Sequence, residues 1–319
     1  MKGSYFGNFI NGKWVQHPGR DVFEVRNPAT NQIIATIEQG TKEDIELAVN
    51  VAESKFESWR KIPAPKRGEI ILEAARILRD EKEELARRIV IQNGKIISEA
   101  RGEVQEAIDF FEYIAGEGRR LWGETIPSEL PNKICLTFRK PIGVVALITP
   151  FNYPLAIPAW KIGAALICGN TIVMKPPSLT PLGAIDLANI FQRAGLPDGV
   201  FNLVFGRGEE VGMALVEHPK IRVVSFTGGE EVGRRIYQQA ASDLKRVHLE
   251  LGGHAPEIIL EDANIDLAIE AVLFGAFGTS GQRCTTTRRL LVSSVIYDKV
   301  KTKLIQKIRS LKVGDPLDE

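Results

Sequence analysis

Gly143-Val144-Val145-Ala146-Leu147-Ile148 is an unbroken apolar run of strand length, followed at once by the turn-forming stretch Thr149-Pro150-Phe151-Asn152-Tyr153-Pro154. A strand without polar alternation is buried on both faces, as parallel strands are when helices cover their sheet. Downstream, strand-like runs recur at 171–174, 200–204, 221–226 and 247–251, separated by helical stretches near 182–194, 208–217 and 230–241. That alternation predicts an α/β fold with a Rossmann-like, doubly wound parallel sheet. Upstream, Phe9-Ile10-Asn11-Gly12-Lys13-Trp14-Val15 reads as a hairpin, because Asn-Gly between apolar runs is the strongest short turn signal. From Thr41, an N-cap candidate with Asp44 behind it, helical periodicity runs through Ile45, Ala48, Val49, Ala52 and Phe56. Further helical segments carry the chain to about Tyr113, and 133–139 alternates as an exposed strand after Pro131. No internal repeat or low-complexity segment interrupts this plan.

Composition narrows the function classes. The 319 residues, 44% of them hydrophobic, are enough for two domains with a large core. Lys+Arg 41 against Asp+Glu 40 leaves a net charge of +1, which argues against a nucleic-acid or anionic-membrane partner. Cys135, Cys168 and Cys284 are too scattered for a disulfide framework or a zinc site, and the four histidines form no HExxH pair, so no metal is expected. A reducing, cytoplasmic setting follows. Residues 1–9 lack the apolar core of a signal peptide, and no apolar run approaches the roughly 18 residues that span a bilayer.

Ligands of doubly wound sheets bind at the carboxyl ends of the strands. There the chain places Lys175-Pro176-Pro177-Ser178, then Gly206-Arg207-Gly208 with Gly212 beyond, and Thr227-Gly228-Gly229-Glu230-Glu231-Val232-Gly233. The two glycine stretches open onto helices and suit a pyrophosphate, although neither has the G-x-G-x-x-G spacing and glycines that merely close turns explain each separately. A second constellation involves a thiol. In Phe277-Gly278-Thr279-Ser280-Gly281-Gln282-Arg283-Cys284-Thr285-Thr286-Thr287, Gly278 and Gly281 let the backbone approach a bound molecule, and Arg283 places positive charge beside the sulfur. A small buried hydrophobe is the bland alternative for Cys284. Asn152, just past the first buried strand, can stabilise an oxyanion or simply form a turn. Glu250, before Leu251-Gly252-Gly253, is a partly desolvated general base or a solvated strand end.

Together, Thr149-Pro150-Phe151-Asn152-Tyr153-Pro154, Lys175-Pro176, Phe226-Thr227-Gly228, Glu250-Leu251-Gly252-Gly253 and Gly281-Gln282-Arg283-Cys284 resemble the aldehyde dehydrogenase superfamily, with 284 − 250 = 34 residues between acid and thiol. The resemblance implies that Cys284 is the nucleophile, that Asn152 and the Cys284 amide form the oxyanion hole, that Glu250 activates a deacylating water and that Lys161 joins a proton relay. It implies NADP or NAD as cofactor, with Lys175 and Ser178 at the adenosine ribose and Thr149, Pro150, Phe151, Pro177, Gly208, Gly212, Phe226, Thr227, Gly228, Gly229, Val232, Leu251 and Gly252 lining the cleft. The substrate implied is a small-molecule aldehyde, oxidised through a thiohemiacetal and thioester to the acid, near Tyr153, Glu106 and Arg283. The expected domains are a cofactor domain from 1–122 and 142–252, an oligomerisation arm at 123–141, and the start of a second α/β catalytic domain at 253–319, with a homodimer or homotetramer in the full-length form.

Family chains continue past the equivalent of Glu319, so the apolar faces of 264–276 and 290–311 are expected to be incompletely covered, with low solubility as a result. Phe151 stands where many members have tryptophan, and Gly229 where a serine often binds the pyrophosphate. Ser178 replaces the glutamate of many NAD-preferring members, which points to acceptance of NADP. Glu106 and Arg283 resemble the pair of the aminoadipate semialdehyde branch, whereas Lys175-Pro176-Pro177-Ser178 and Gly206-Arg207-Gly208 look more like the non-phosphorylating glyceraldehyde-3-phosphate branch. A carboxylate at 106 argues for a small polar aldehyde or semialdehyde over a phosphorylated one, while a solvated helix face explains that residue equally well. A CoA-acylating enzyme and a non-enzymatic nucleotide-binding fragment are the alternatives.

Overall fold

A computed structural model describes residues 4–318. Residues 1–3 of the stretch inspected for a leader, and Glu319, lie outside the described residues. At the centre is a seven-stranded sheet in which Val144–Ile148 has parallel neighbours on both sides. Thr171–Lys175 and then Phe201–Leu203 lie to one side of it, Ile221–Gly228 and then Arg246–Leu251 to the other. The chain therefore walks outward, returns to the middle and walks the opposite way. The reversal opens a crevice at the carboxyl ends of Val144–Ile148 and Ile221–Gly228, the switch point where ligands of such sheets sit. The apolar run that predicted this sheet is buried at all five positions.

The first hairpin extends the sheet. Asn8–Ile10 pairs with Lys13–Val15 and runs antiparallel to Phe201–Leu203. Asn11 and Gly12 have φ of 54° and 75°, as a two-residue hairpin loop requires. The helix predicted from Thr41 spans Lys42–Lys61, and the Thr41 amide donates to Asp44 Oδ2 at 2.9 Å. Its buried face carries Ile45, Ala48, Val49 and Ala52 as expected, but Trp59, at 1% exposure, rather than Phe56, anchors its last turn. Ala64–Asp80, Lys82–Asn93 and Ile97–Glu117 follow. They cover one face of the sheet through a core that includes Phe111, Phe191 and Phe201, with ring centroids 5.3 and 6.2 Å apart.

Some expectations need correction. The strand expected over 133–139 shrinks to Ile134–Leu136, paired with Thr125–Pro127 in an exposed ribbon, since two strands by themselves are marginally stable and all six residues here are exposed. The segment 208–217 begins as a π turn, Gly208–Gly212, before the short helix Met213–Glu217. A separate three-stranded sheet of Ser4–Phe6, Ile33–Glu38 and Val22–Arg26 was not legible as strands. After the main sheet, Ala255–Ile259 and Thr287–Val292 pair in parallel around Ile265–Phe277, with Tyr297–Arg309 behind and a small core of Ile259, Ile269, Val272 and Val300. Leu267 and Phe274 are 64% and 66% exposed on this unit. No helix among the described residues is long and apolar enough to cross a membrane.

Candidate active site

The segment after Val144–Ile148 is tied down along its whole length. The Phe151 carbonyl accepts from Asn93 Nδ2 at 3.0 Å and Thr180 Oγ1 at 2.9 Å, and the Asn152 carbonyl accepts from Lys95 Nζ at 2.7 Å. The Leu155 and Ala156 amides donate to Glu103 Oε1 at 2.8 and 3.2 Å, where the helix Ala156–Ile167 begins. Asn152 is thereby presented toward the thiol-bearing loop, and its Nδ2 donates to the Gln282 carbonyl at 2.7 Å. The Tyr153 hydroxyl lies 3.1 Å from Thr279 Oγ1 and makes the second link between the two segments.

The thiol-bearing loop is strained and locally braced. Thr279, Ser280 and Gly281 all have positive φ, at 56°, 54° and 68°. The two side-chain-bearing residues cost about 1 kcal/mol or more each in that region, so surrounding contacts must hold them there. The Thr279 amide donates to both Glu99 carboxylate oxygens at 2.8 and 2.9 Å, and Thr286 Oγ1 accepts from the Arg283 amide at 3.0 Å while donating to the Gly281 carbonyl at 3.1 Å. Cys284 emerges exposed between these anchors rather than buried as a small hydrophobe.

Arg283 behaves differently from expectation. Its Nε donates to Thr279 Oγ1 at 3.0 Å, its guanidinium lies 4.3 Å from the Phe274 ring centroid, and its Nη2 is 3.5 Å from Glu99. The charge is committed to the loop wall, which these contacts explain better than a role beside the sulfur. Gly278 serves the same side chain, since a Cβ there would meet Arg283 Nη2 at 2.6 Å. Glu250 departs too. It sits on the edge strand Arg246–Leu251 with its side chain 64% exposed, 3.5 Å from His248 Nε2. At that exposure the carboxylate is solvated and not partly desolvated, as an open face of an edge strand allows.

Two cavities meet at the thiol. One, of about 550 Å³, is lined by every residue expected at the cofactor: Thr149, Pro150, Phe151, Lys175, Pro177, Ser178, Gly208, Gly212, Phe226, Thr227, Gly228, Gly229, Val232, Leu251 and Gly252. The other, of about 830 Å³, is lined by Glu106, Tyr153, Lys161 and Arg283 together with Trp160, Ser225 and His248. Asn152, Ile157, Thr227, Glu250, Arg283 and Cys284 line both. In the larger cavity, Lys161 Nζ donates to Ser225 Oγ at 2.7 Å, and burial pulls its pKa down to about 8 against the opposing effect of Glu250. At its mouth the Glu106 carboxyl is raised above its ordinary range, first by shielding from water and then by Glu103.

The smaller cavity has the features a nucleotide needs. Burial pulls Lys175 down to about 8, and among the described residues its ammonium donates to the Pro176 carbonyl at 2.9 Å, which leaves it able to gain from an anionic or hydroxylic ligand. A Cβ at Gly208, Gly229 or Gly252 would meet nothing within 4 Å, so backbone there is open to close approach. Thr149 Oγ1 is buried without a partner among the described residues. The helix Glu230–Ala241 opens at Gly229, although Glu230 and Glu231 in its first turn oppose an anion placed there.

Sequence reasoning missed Lys95, Glu99, Glu103, Ser225, His248 and Thr279. Glu103 carried a usable signal: it adjoins the apolar stripe of Ala100, Val104 and Ala107 on Ile97–Glu117, where a carboxylate must be paired. Among the described residues, no group of three or more His, Cys, Asp or Glu side chains could hold a metal ion.

The model of the aldehyde dehydrogenase family matches residues 14–319. The chain belongs to the aldehyde dehydrogenase family. It is 42% identical over 313 residues to the alpha-ketoglutaric semialdehyde dehydrogenase of Bacillus subtilis, covering 98% of this chain and 64% of that protein. The NADP(+) succinate-semialdehyde dehydrogenase of Escherichia coli is 39% identical over 309 residues, covering 97% of this chain and 64% of the relative. A crystal structure of an NADP-dependent E. coli enzyme superposes with a TM-score of 0.96 at 38% identity, covering 99% of this chain and 66% of that one. This aldehyde dehydrogenase chain thus spans about 64% of the length of these curated relatives.

Proposed function

We propose that this aldehyde dehydrogenase chain carries the nucleotide cleft and nucleophile of an enzyme that oxidises a small polar aldehyde or semialdehyde to its acid with NADP or NAD. One observation carries the reading: Cys284 stands exposed where the two cavities meet, with Asn152 on the same junction. A nicotinamide nucleotide held by Lys175, Ser178 and the glycine-lined wall would supply the hydride acceptor.

The chain's own residues account for the remaining steps. Cys284 Sγ adds to the aldehyde carbon, and the carbonyl π electrons move to oxygen as a thiohemiacetal forms. The Asn152 carboxamide and the Cys284 amide stabilise that oxyanion, a contribution worth roughly 10²–10³ in rate per donor. Once the adduct is oxidised to a thioester, Glu250 takes a proton from water as its oxygen attacks the acyl carbon and the carbon–sulfur bond breaks. Exposure suits Glu250 to that task, because the base must reach water. Lys161, held near neutral-pH titration, is placed to pass protons within the larger cavity.

The relatives' own names support a semialdehyde substrate, and Glu106 at the mouth of the larger cavity would repel a phosphate. Ser178 beside Lys175 supports NADP, since neither repels a 2′-phosphate. We further propose the cofactor domain at 1–122 and 142–252, the catalytic segment at 253–319, and an oligomerising arm at 123–141, where Ile126, Ile134 and Phe138 are exposed. A homodimer or homotetramer in a cytoplasmic setting completes the reading. Reduced-cofactor formation with an aldehyde panel, with and without CoA, tests it, and Cys284→Ala should abolish turnover while nucleotide binding persists. Turnover retained in that variant, or turnover that requires CoA, would refute it.

A further inference from the structure

Lys95 and Glu103 form an ion pair sealed from solvent, 2.6 Å apart with both side chains at 0% exposure. Such a pair loses much hydration and is commonly replaceable by apolar side chains without loss of stability, so what else it holds in place matters more than its own strength. Here each partner directs its remaining contacts to one short segment. Glu103 Oε1 accepts from the Leu155 and Ala156 amides at 2.8 and 3.2 Å, and Lys95 Nζ donates to the Asn152 carbonyl at 2.7 Å. The same ammonium lies 4.0 Å from the Tyr153 ring centroid. Neither residue lines either cavity, so the pair acts on no ligand directly. Asn152 is gripped from behind through its carbonyl, while its carboxamide faces the thiol loop and donates to the Gln282 carbonyl at 2.7 Å.

We infer that the Lys95–Glu103 pair is a positioning device for the oxyanion donor. It fixes the Asn152 carboxamide relative to Cys284 Sγ, so breaking it slows steps that build negative charge on an acyl oxygen and leaves the reactivity of the thiol itself unchanged. This rests on the reading of Asn152 as the donor that serves Cys284. An apolar pair of equal volume would fill the same space, but it could neither hold the Asn152 carbonyl nor accept the two amides.

Two reagents separate the effects when adducts at Cys284 are followed by site-resolved mass spectrometry on the chain. Iodoacetamide alkylates the thiolate by displacing iodide, and no oxyanion forms. With p-nitrophenyl acetate, sulfur bonds to the carbonyl carbon, the oxygen becomes an oxyanion, and its collapse expels p-nitrophenolate. Lys95→Met should slow acylation about tenfold or more, on the scale that misplacing a reacting group by about 1 Å produces, while alkylation changes less than about twofold. Lys95→Arg, which keeps a donor, should recover part of the acylation rate. The double variant Lys95→Met with Glu103→Leu leaves no unpaired buried charge and should show the same selective loss. Equal slowing of both reagents in both variants, or acylation unchanged in Lys95→Met, overturns the proposal. Normal acylation in Asn152→Ala would overturn the underlying reading of Asn152 as well, whereas a slow Asn152→Ala beside a normal Lys95→Met sinks only the positioning role.

Discussion

Asn152 and Glu250 line the same two cavities as Cys284, but the protein holds them in opposite ways. Asn152 sits on a segment anchored by Lys95, Asn93, Thr180 and Glu103, and its own amide is bonded across to the thiol loop. Glu250 lies near the end of an edge strand with its carboxylate exposed and, among the described residues, His248 within ion-pair range. The contrast fits the two tasks proposed for these residues. An oxyanion donor works by being in place before charge develops, so its value depends on rigidity. A base that activates water needs access to solvent, and a free carboxylate keeps that access.

The largest effect should come from the rigid side. Asn152→Ala is expected to lower kcat/KM by about 10²–10³ while nucleotide affinity, measured by fluorescence titration, stays within about threefold. An effect below tenfold would mean that anchoring Asn152 serves the fold alone. Glu250→Gln should lower steady-state turnover about 10²-fold yet preserve the first turnover, so stopped-flow traces would show a burst of reduced cofactor followed by a slow phase. Loss of the burst would place Glu250 before the thioester and erase the contrast between the two residues.

A smaller effect concerns the nucleotide cavity. Ser178→Glu should shift the NADP/NAD ratio of kcat/KM toward NAD by about tenfold, because a carboxylate beside the ribose repels a 2′-phosphate. An unchanged ratio would remove Ser178 from the ribose site. Lys175 offers a stability test. Its folded pKa of about 8 lies below the ordinary lysine value of 10.5, so the folded state binds fewer protons than the unfolded chain between those values. Stability should therefore rise as pH increases from about 8 to 10.5, and below 8 the buried ammonium is a net cost. Lys175→Met should raise stability at pH 7 by on the order of 1–3 kcal/mol and flatten its share of that rise. Urea titrations at pH 7 and 10 measure both, and a destabilised variant at pH 7 would show that the contacts of the ammonium, the Pro176 carbonyl included, outweigh its burial cost.

The two regions were unequally legible in the sequence. The sheet and the Asn152 stretch could be read because buried parallel strands are written as local apolar runs, and the turn residues that follow them mark the carboxyl ends. The hairpin could be read for the same reason, since Asn11-Gly12 encodes its own geometry. What holds Asn152 was hidden. Lys95 and Glu103 look like ordinary helix charges until the fold buries them, and the Asn152 contact spans 57 residues. Which of its two settings Glu250 takes was left open because exposure on an edge strand depends on what packs against it, which no local pattern encodes. Arg283 was placed beside the sulfur because the two are adjacent in sequence, yet the long guanidinium reaches Glu99, 184 residues away. The small sheet containing Ser4–Phe6 escaped because short strands that pair across distant segments leave little periodicity.

The central claim is that Cys284, alone among the three thiols, takes up the acyl group between these two residues. Glu250→Gln incubated with NADP and succinic semialdehyde, quenched in acid and digested, tests it by peptide mass spectrometry. The account predicts an acyl adduct on the peptide that carries Cys284 and none on those carrying Cys135 or Cys168. An adduct absent from Cys284 while reduced cofactor accumulates would contradict it.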